Sequence, residues 1–371
     1  MKVLVLSVTA GYGHHAAAYA VSDELESRGV IVTTVDMYKY ASKALYDTID
    51  KGYLFSTKYI RKPYGQLYAT LEKNRALRRR ILNILVSELI AEKFSGFIDD
   101  FAPDVIVCSH IFCAMVMDEL KARDRLSAPI VAILTDYTFH PFWDDVPRVE
   151  YIVTGSDLLN SRASKKGIAP ERILPFGIPV HGKFSRKLPR EEARLRFGLD
   201  PDRFTLLCMS GSMGYGHIIK TIKSLDGMNE DFQILCVCGN NEKAFARLSK
   251  LHFAKNIRLF GFTNDVDVMM DAADCIVTKP GGLTTTECLQ KRLPMIFTDP
   301  IPGQEERNAE FFVNLGAAMQ CSKGFPVDEA VYMLYHSPAR IRQMSEILDA
   351  IAPREPSARL AEFIMNIGGN T

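Results

Sequence analysis

No C-x-x-C pair occurs among the eight cysteines, no apolar run approaches the ~20 residues a membrane span needs, and neither sign of charge dominates. Each absence excludes something. Without paired spacings, and with most thiols inside strand-like runs such as Leu206-Leu207-Cys208 and Cys275-Ile276-Val277, a zinc or disulfide framework gives way to reduced core thiols of a cytosolic protein. Without a long apolar run nothing spans a membrane. Met1-Lys2-Val3-Leu4-Val5-Leu6-Ser7 starts like a secretory leader, but Gly11-Tyr12-Gly13-His14-His15 interrupts it, and a first strand is the better reading. With 45 Lys+Arg against 44 Asp+Glu, the net charge of +1 excludes a polyanion binder whose whole surface is basic, while local patches stay open.

What is there is 371 residues of globular composition, 47% hydrophobic and 24% charged, which sets disorder and coiled coil aside. At roughly 100–200 residues per domain the length predicts about two domains. Val3 to Val8, Val30 to Val35, Val105 to Cys108, Ile130 to Leu134 and Tyr151 to Thr154 are short and β-rich, with stretches of helical length between them. Phe204 to Met209, Phe232 to Cys238, Ile257 to Phe260, Cys275 to Thr278 and Met295 to Phe297 repeat the pattern. Such alternation predicts an α/β fold with parallel sheets and crossover helices, twice over. No internal sequence repeat is visible, so the halves share architecture and not sequence. Between them, the prolines and glycines of Pro175-Phe176-Gly177-Ile178-Pro179-Val180-His181-Gly182-Lys183 interrupt helix and strand, which puts the domain boundary near residue 183. Glu191 to Phe197 then reads as a helix closed by Gly198. In the tail, Leu360, Phe363, Ile364 and Ile367 share one helical face that must dock on something.

In open parallel sheets ligands bind beyond the carboxyl ends of the strands, so two such halves predict a cleft with function in the loops that follow strands. The first such loop is Thr9-Ala10-Gly11-Tyr12-Gly13-His14-His15-Ala16. Gly11, Gly13 and Ala16 satisfy G-x-G-x-x-A, and Asp36 stands where a dinucleotide fold holds its ribose; an ordinary tight turn is the competing reading. His14 is foreign to a pyrophosphate cradle and suits proton transfer. The second loop, Ser210-Gly211-Ser212-Met213-Gly214-Tyr215-Gly216-His217, suits a phosphate turn but lacks the Lys-Ser/Thr of a P-loop. In the third, Thr278-Lys279-Pro280-Gly281-Gly282-Leu283-Thr284-Thr285-Thr286-Glu287, a strand runs into a helix start whose N–H groups and hydroxyls could hold a diphosphate without metal. Glu287 is either a hydroxyl acceptor or the partner of Thr284 in a capping box. Gln304, Glu305 and Asn308 follow another strand at helical spacing, which suits a polyhydroxylated ligand or a solvated helix start.

Together with Thr135-Asp136-Tyr137, Gly177-Ile178-Pro179-Val180, Gly261-Phe262-Thr263 and Pro302-Gly303-Gln304-Glu305, these segments resemble the family 28 glycosyltransferases over about residues 1 to 368. The nearest branch is that of monogalactosyldiacylglycerol synthases and bacterial processive diacylglycerol glucosyltransferases. The resemblance implies the GT-B fold: two Rossmann-like domains with parallel sheets facing a cleft, and a C-terminal helix crossing back to the first domain. Residues 1–183 would bind the acceptor and face the membrane, 184–354 would bind a UDP-sugar, and 355–371 would be the returning helix. His14 would be the general base of an inverting transfer, with Gly11, Tyr12, Gly13 and His140 around the acceptor. Gly211, Ser212 and Gly214, with the backbone of Gly281, Gly282, Leu283, Thr284 and Thr285, would face the diphosphate. Phe262 would meet the uracil, Glu287 the ribose, and Gln304, Glu305 and Asn308 sugar or phosphate.

The physical requirements agree. An acceptor hydroxyl must lose its proton as it attacks, and an ordinary imidazole titrates near 6.5, close to the working pH. Helix N-termini can meet the charge of departing UDP, so neither metal nor other cofactor is required. Asp136 and His140 follow another first-domain strand as further candidate bases, acceptor-positioning groups or helix caps. Between residues 58 and 80, Lys58, Arg61, Lys62, Lys73, Arg75, Arg78, Arg79 and Arg80 stand against Glu72 alone, with Tyr64, Leu67, Tyr68 and Leu71 interleaved. That suits peripheral docking on the cytoplasmic face of an anionic membrane, or else a solvated basic face; no nucleic-acid module accompanies the charge. The function implied is hexose transfer from UDP-glucose or UDP-galactose to diacylglycerol or glycosyl-diacylglycerol. A UDP-sugar 2-epimerase on the same fold and a non-catalytic UDP-sugar sensor are the alternatives, and the oligomeric state is left open.

Overall fold

The computed structural model describes residues 1–9, 12–41, 61–78, 80, 88–211 and 217–369. The chain forms two compact units: Met1–Gly182 with Pro302–Gln304 and Pro353–Thr371, and Lys183–Ile301 with Glu305–Ala352.

The first unit is built on six parallel strands, β1 (Lys2–Ser7), β2 (Ile31–Asp36), β3 (Val105–Cys108), β4 (Ile130–Ile133), β5 (Tyr151–Val153) and β6 (Ile173–Leu174), in the order β2-β1-β3-β4-β5-β6. β1, β3 and β4 are nearly unbroken Val/Ile/Leu runs because helices cover both faces of a parallel sheet. Leu360, Ala361 and Ile364 of the terminal helix Pro356–Gly368 are fully buried in one core cluster with Val3, Val5, Val105 and Val131, and Phe363 and Ile367 pack on its margin. The chain leaves β1 toward β2 on one side and returns to β3 on the other, so the carboxyl ends of β1 and β3 flank the topological switch point of this sheet.

The second unit repeats the plan with β7 (Phe204–Met209), β8 (Phe232–Val237), β9 (Ile257–Phe260), β10 (Cys275–Thr278), β11 (Met295–Phe297) and β12 (Ala318–Gln320), all parallel, in the order β12-β11-β10-β7-β8-β9. Its switch point lies between β7 and β10. The helix before β7 spans Arg190–Arg196, and Gly198 takes φ +64°, the left-handed conformation expected just past a helix end. All eight cysteines are free, seven of them buried, which matches core thiols. No helix among the described residues is long and apolar enough to cross a membrane.

Candidate active site

At the switch point of the first sheet, the helix Gly13–Ser27 starts directly after the β1 loop, and His14 occupies its first turn. Its Nδ1 lies 3.1 Å from the Ser109 carbonyl oxygen after β3 and 3.0 Å from Thr135 Oγ1 after β4. A carbonyl only accepts, so Nδ1 carries the proton and Nε2 keeps its lone pair. The ring is partly exposed yet closely surrounded, and burial lowers its pKa to about 4, against the opposing hydrogen bond to Ser109. That is well below the ordinary value expected from the sequence; His14 is therefore neutral at physiological pH. Asp136 is half-buried just past Thr135. Tyr12, the N-cap residue two positions before His14, exposes 53% of its surface.

Two further imidazoles belong to this region, His110 against His14 and His140 within electrostatic reach of His110. His110 follows β3, with its ring centroid 4.5 Å from that of His14 and the planes at 79°. His140 caps the short helix Pro141–Asp145, accepting from Phe142 N–H at 3.4 Å, so the cap reading of this residue holds; its ring stacks on Phe142 and meets the edge of Tyr68. Burial, helped by Lys166 and Arg78, lowers His140 to about 3. His110 was not among the sequence candidates. The available signal was its position immediately beyond the strand that flanks the switch point.

Asp36 is not placed for a ribose. Its Oδ1 accepts the N–H groups of Tyr38 and Lys39, while Oδ2 pairs with His15 Nε2 at 3.2 Å and accepts from Thr9 Oγ1. Burial alone would raise this carboxyl; the hydrogen bonds from His15, Thr9 and Lys39 outweigh it and bring it to about 2. Every lone pair the dinucleotide reading needs is committed inside the protein.

In the second unit Gly211, at φ +71°, ends the described part of the β7 loop. After β10, Gly281 caps the helix Gly282–Lys291 without a side-chain cap bond, and the first intrahelical bond runs from Thr285 N–H to Gly281 O at 3.0 Å. The N–H groups of Gly282, Leu283 and Thr284 remain for an anion. Thr285 does not: its N–H is spent, and its buried hydroxyl donates to the Gly281 and Gly282 carbonyls, which corrects its assignment to the diphosphate. Since the cap is Gly281 and not Thr284, the capping-box account of Glu287 also fails. Glu287 lies inside the helix, half-buried, and among the described residues nothing hydrogen-bonds its carboxyl. Burial pushes its pKa up to about 8, with the Lys183 charge opposing and Asp267 adding.

Phe262, just past β9, is 53% exposed, a free aromatic face at the end of a strand. The polar run divides. Gln304 groups with the first unit, Glu305 and Asn308 with the second. Asn308 is fully buried and its Nδ2 donates to Pro280 O at 3.0 Å, so it braces the Pro-Gly-Gly turn and cannot touch a sugar as placed. Glu305 accepts from Ile301 N–H at 2.6 Å and pairs with Lys279 at 3.3 Å, which fixes the loop after β11 to the loop after β10. Earlier in the loop after β11, Asp299, at φ +49°, pairs with His217 Nδ1 at 2.9 Å.

The basic segment needs revision. Arg78 is 4% exposed; it donates to Asp145 Oδ2 at 2.7 Å and to Leu71 O, so it anchors the fold and faces no membrane. Tyr68 and Leu71 are likewise buried, and Leu67 keeps 48% exposure. Lys73, Arg75 and Arg80 are exposed. Gly11, Ser212, Gly214 and Arg79 lie outside the described residues, as do the side chains of Arg61 and Lys62.

Comparison with known proteins bears on both units. Residues 14–180 match the monogalactosyldiacylglycerol (MGDG) synthase family, and residues 205–354 match the glycosyltransferase family 28 C-terminal domain. Similar curated proteins include the processive diacylglycerol beta-glucosyltransferases of Staphylococcus saprophyticus, 28% identical over 99% of this chain and 93% of the relative, and of Bacillus subtilis, 27% identical over 98% and 94%. Among solved structures, Acinetobacter baumannii MurG aligns with TM-score 0.63 and 14% identity, covering 98% of this chain and 99% of that one. The calicheamicin glycosyltransferase CalG4 aligns with TM-score 0.62 and 14% identity, covering 98% of each chain. The solved structures support the GT-B fold, and the two matched models, with relatives aligned along nearly the whole chain, support its resemblance to the family 28 glycosyltransferases of the monogalactosyldiacylglycerol synthase and processive diacylglycerol glucosyltransferase branch.

Proposed function

We propose that the protein transfers a hexose, with inversion, from a UDP-sugar to diacylglycerol or glycosyl-diacylglycerol on the cytoplasmic face of an anionic membrane. The observation that carries this reading is His14, whose Nδ1 proton is held by the Ser109 carbonyl so that Nε2 stands as an unprotonated base. The acceptor oxygen attacks C1 of the sugar. Its proton passes to Nε2, and the C1–O bond to the diphosphate breaks with its electron pair on UDP. In the second unit, the unpaired N–H groups of Gly282, Leu283 and Thr284 suit the diphosphate and its growing charge, so the step requires no metal. Glu287 suits the ribose hydroxyls and Phe262 the uracil. The names of the relatives favour glucose as the hexose and diacylglycerol as the acceptor.

Incubation with UDP-glucose and UDP-galactose in competition, with diacylglycerol in mixed micelles, tests the reading by mass spectrometry of the lipids. A β-glycosyl-diacylglycerol is expected, with loss of product in His14→Ala. Absence of any glycolipid would sink the lipid acceptor. Conversion of one UDP-sugar into another without lipid would point to the 2-epimerase.

A further inference from the structure

Three imidazoles follow strands at the carboxyl ends of the first sheet, His14 and His110 in ring contact and His140 near enough to His110 to influence it, and the reaction as proposed uses one. The fold assigns the other two a different tautomer. His110 sits at the N-cap of the helix Ile111–Ala122, where its Nδ1 accepts the Phe112 N–H at 3.1 Å. Burial, reinforced by His14 and His140, lowers its pKa well below the ordinary value, so the ring is neutral and carries one proton. With Nδ1 accepting, that proton is on Nε2. Among the described residues no acceptor is bonded to it, and the ring is partly exposed.

His14 has the reverse arrangement, with Nδ1 donating and Nε2 free to accept. Two rings 4.5 Å apart at 79° thus present one base and one donor side by side at the mouth of the same switch point. A lone hydroxyl could donate to the base and accept from the donor, but accepting a hydrogen bond draws electron density from the oxygen that must attack, so a second, non-reacting acceptor suits the donor better. A molecule with a hydroxyl and, on the adjacent carbon, an oxygen that only accepts matches both, and 1,2-diacylglycerol is such a molecule: the reacting hydroxyl is next to the carbon bearing an ester.

We propose that His110 is an acceptor-binding residue whose Nε2–H donates to the ester carbonyl beside the hydroxyl that His14 deprotonates, so that it selects esterified acceptors. This rests on the diacylglycerol reading above. The contact orients the hydroxyl toward the base and gives the protein a means of telling an ester lipid from one that merely has the same chains.

The test compares 1,2-diacylglycerol with the 1,2-dialkylglycerol of equal chain length, which keeps the hydroxyl and lacks the carbonyl, at saturating UDP-glucose in identical micelles. His110→Ser is the informative variant, because serine is itself a favoured N-cap and keeps the helix start while removing the ring. Wild-type protein should prefer the ester by about tenfold in kcat/KM, the scale of one net hydrogen bond. His110→Ser should lose that factor through the KM for diacylglycerol, while its rate with the ether and its KM for UDP-glucose stay unchanged. A wild-type protein indifferent to the carbonyl would overturn the proposal, as would a variant slowed equally on both lipids, the mark of a structural role. Wild-type protein that glycosylates neither lipid would instead overturn the diacylglycerol reading, and the proposal with it.

Discussion

Burial acts in opposite directions on the two groups proposed for proton transfer and ribose binding. An imidazole is charged when protonated, so desolvation pulls His14 to about 4; a carboxyl is charged when ionised, so the same cause pushes Glu287 to about 8. His14 is then a competent base at any pH above about 4. The acid limb of kcat/KM for the lipid should have its midpoint near 4 and not near 6.5, and His14→Ala should lose roughly 10²–10⁴-fold in rate. A limb at 6.5 in the wild-type protein would point to a different, more exposed histidine. For Glu287 the sign runs the other way. The unfolded chain releases this proton near 4.5 and the ligand-free fold holds it until about 8, so its contribution to stability is full below 4.5 and is lost as pH rises through 8. Glu287→Gln should remove that loss, raising the urea midpoint at pH 8 more than at pH 5, while weakening UDP about tenfold or more if the carboxylate accepts the ribose hydroxyls. Unchanged UDP affinity would take Glu287 out of the donor site. Motif and position single out both residues in the sequence. Their environments are not readable there, because Ser109 and Thr135 reach His14 from 95 and 121 residues along the chain.

Most of the fully buried strands were legible. β3, β7, β10 and β11 have the expected limits, since a strand covered on both faces is an uninterrupted apolar run with polar or turn residues at its ends; β9, an edge strand with Arg258 exposed, has them too, because Asn256 and Gly261 bound its β-rich run. β6 and β12, with two and three residues at sheet edges, were not expected; runs so short carry no periodicity. Caps were harder to read than helices. Thr284-x-x-Glu287 has the spacing of a capping box, yet the helix starts at Gly282 because the Pro-Gly-Gly turn, clamped by Asn308, decides where it begins. The tail shows the converse case, in which a helical stripe with no partner in sequence finds one in space. Leu360 is 0% exposed among side chains of β1, β3 and β4. Leu360→Ala should cost about 2–5 kcal/mol in chemical denaturation. A smaller loss, under about 1 kcal/mol, would mean that the helix frays off the first unit at little expense.

At the scale of the whole molecule, near-neutral composition hides an uneven distribution, and the structure shows how much of the unevenness is available to a partner. Of the cations between residues 58 and 80, Arg78 is consumed by Asp144 and Asp145, and Arg75 is 66% exposed with a single distant partner, Asp145 at 3.8 Å. The difference separates a structural charge from a docking charge. A basic side chain near an anionic leaflet contributes on the order of 1 kcal/mol, about fivefold in partitioning, and that contribution is screened by salt. Arg75→Ala with Arg80→Ala should therefore weaken sedimentation with phosphatidylglycerol vesicles by roughly 25-fold at low salt, with Tm and UDP affinity unchanged. Arg78→Ala should do the reverse. Removing one member of a buried pair leaves an uncompensated carboxylate, a loss of about 3–5 kcal/mol that appears as a lower Tm, and vesicle binding by the fraction still folded should equal that of wild type. If the double variant binds vesicles as wild type does, the leaflet must be met by another surface, because the exposed cations of this segment would then have no share in the attraction.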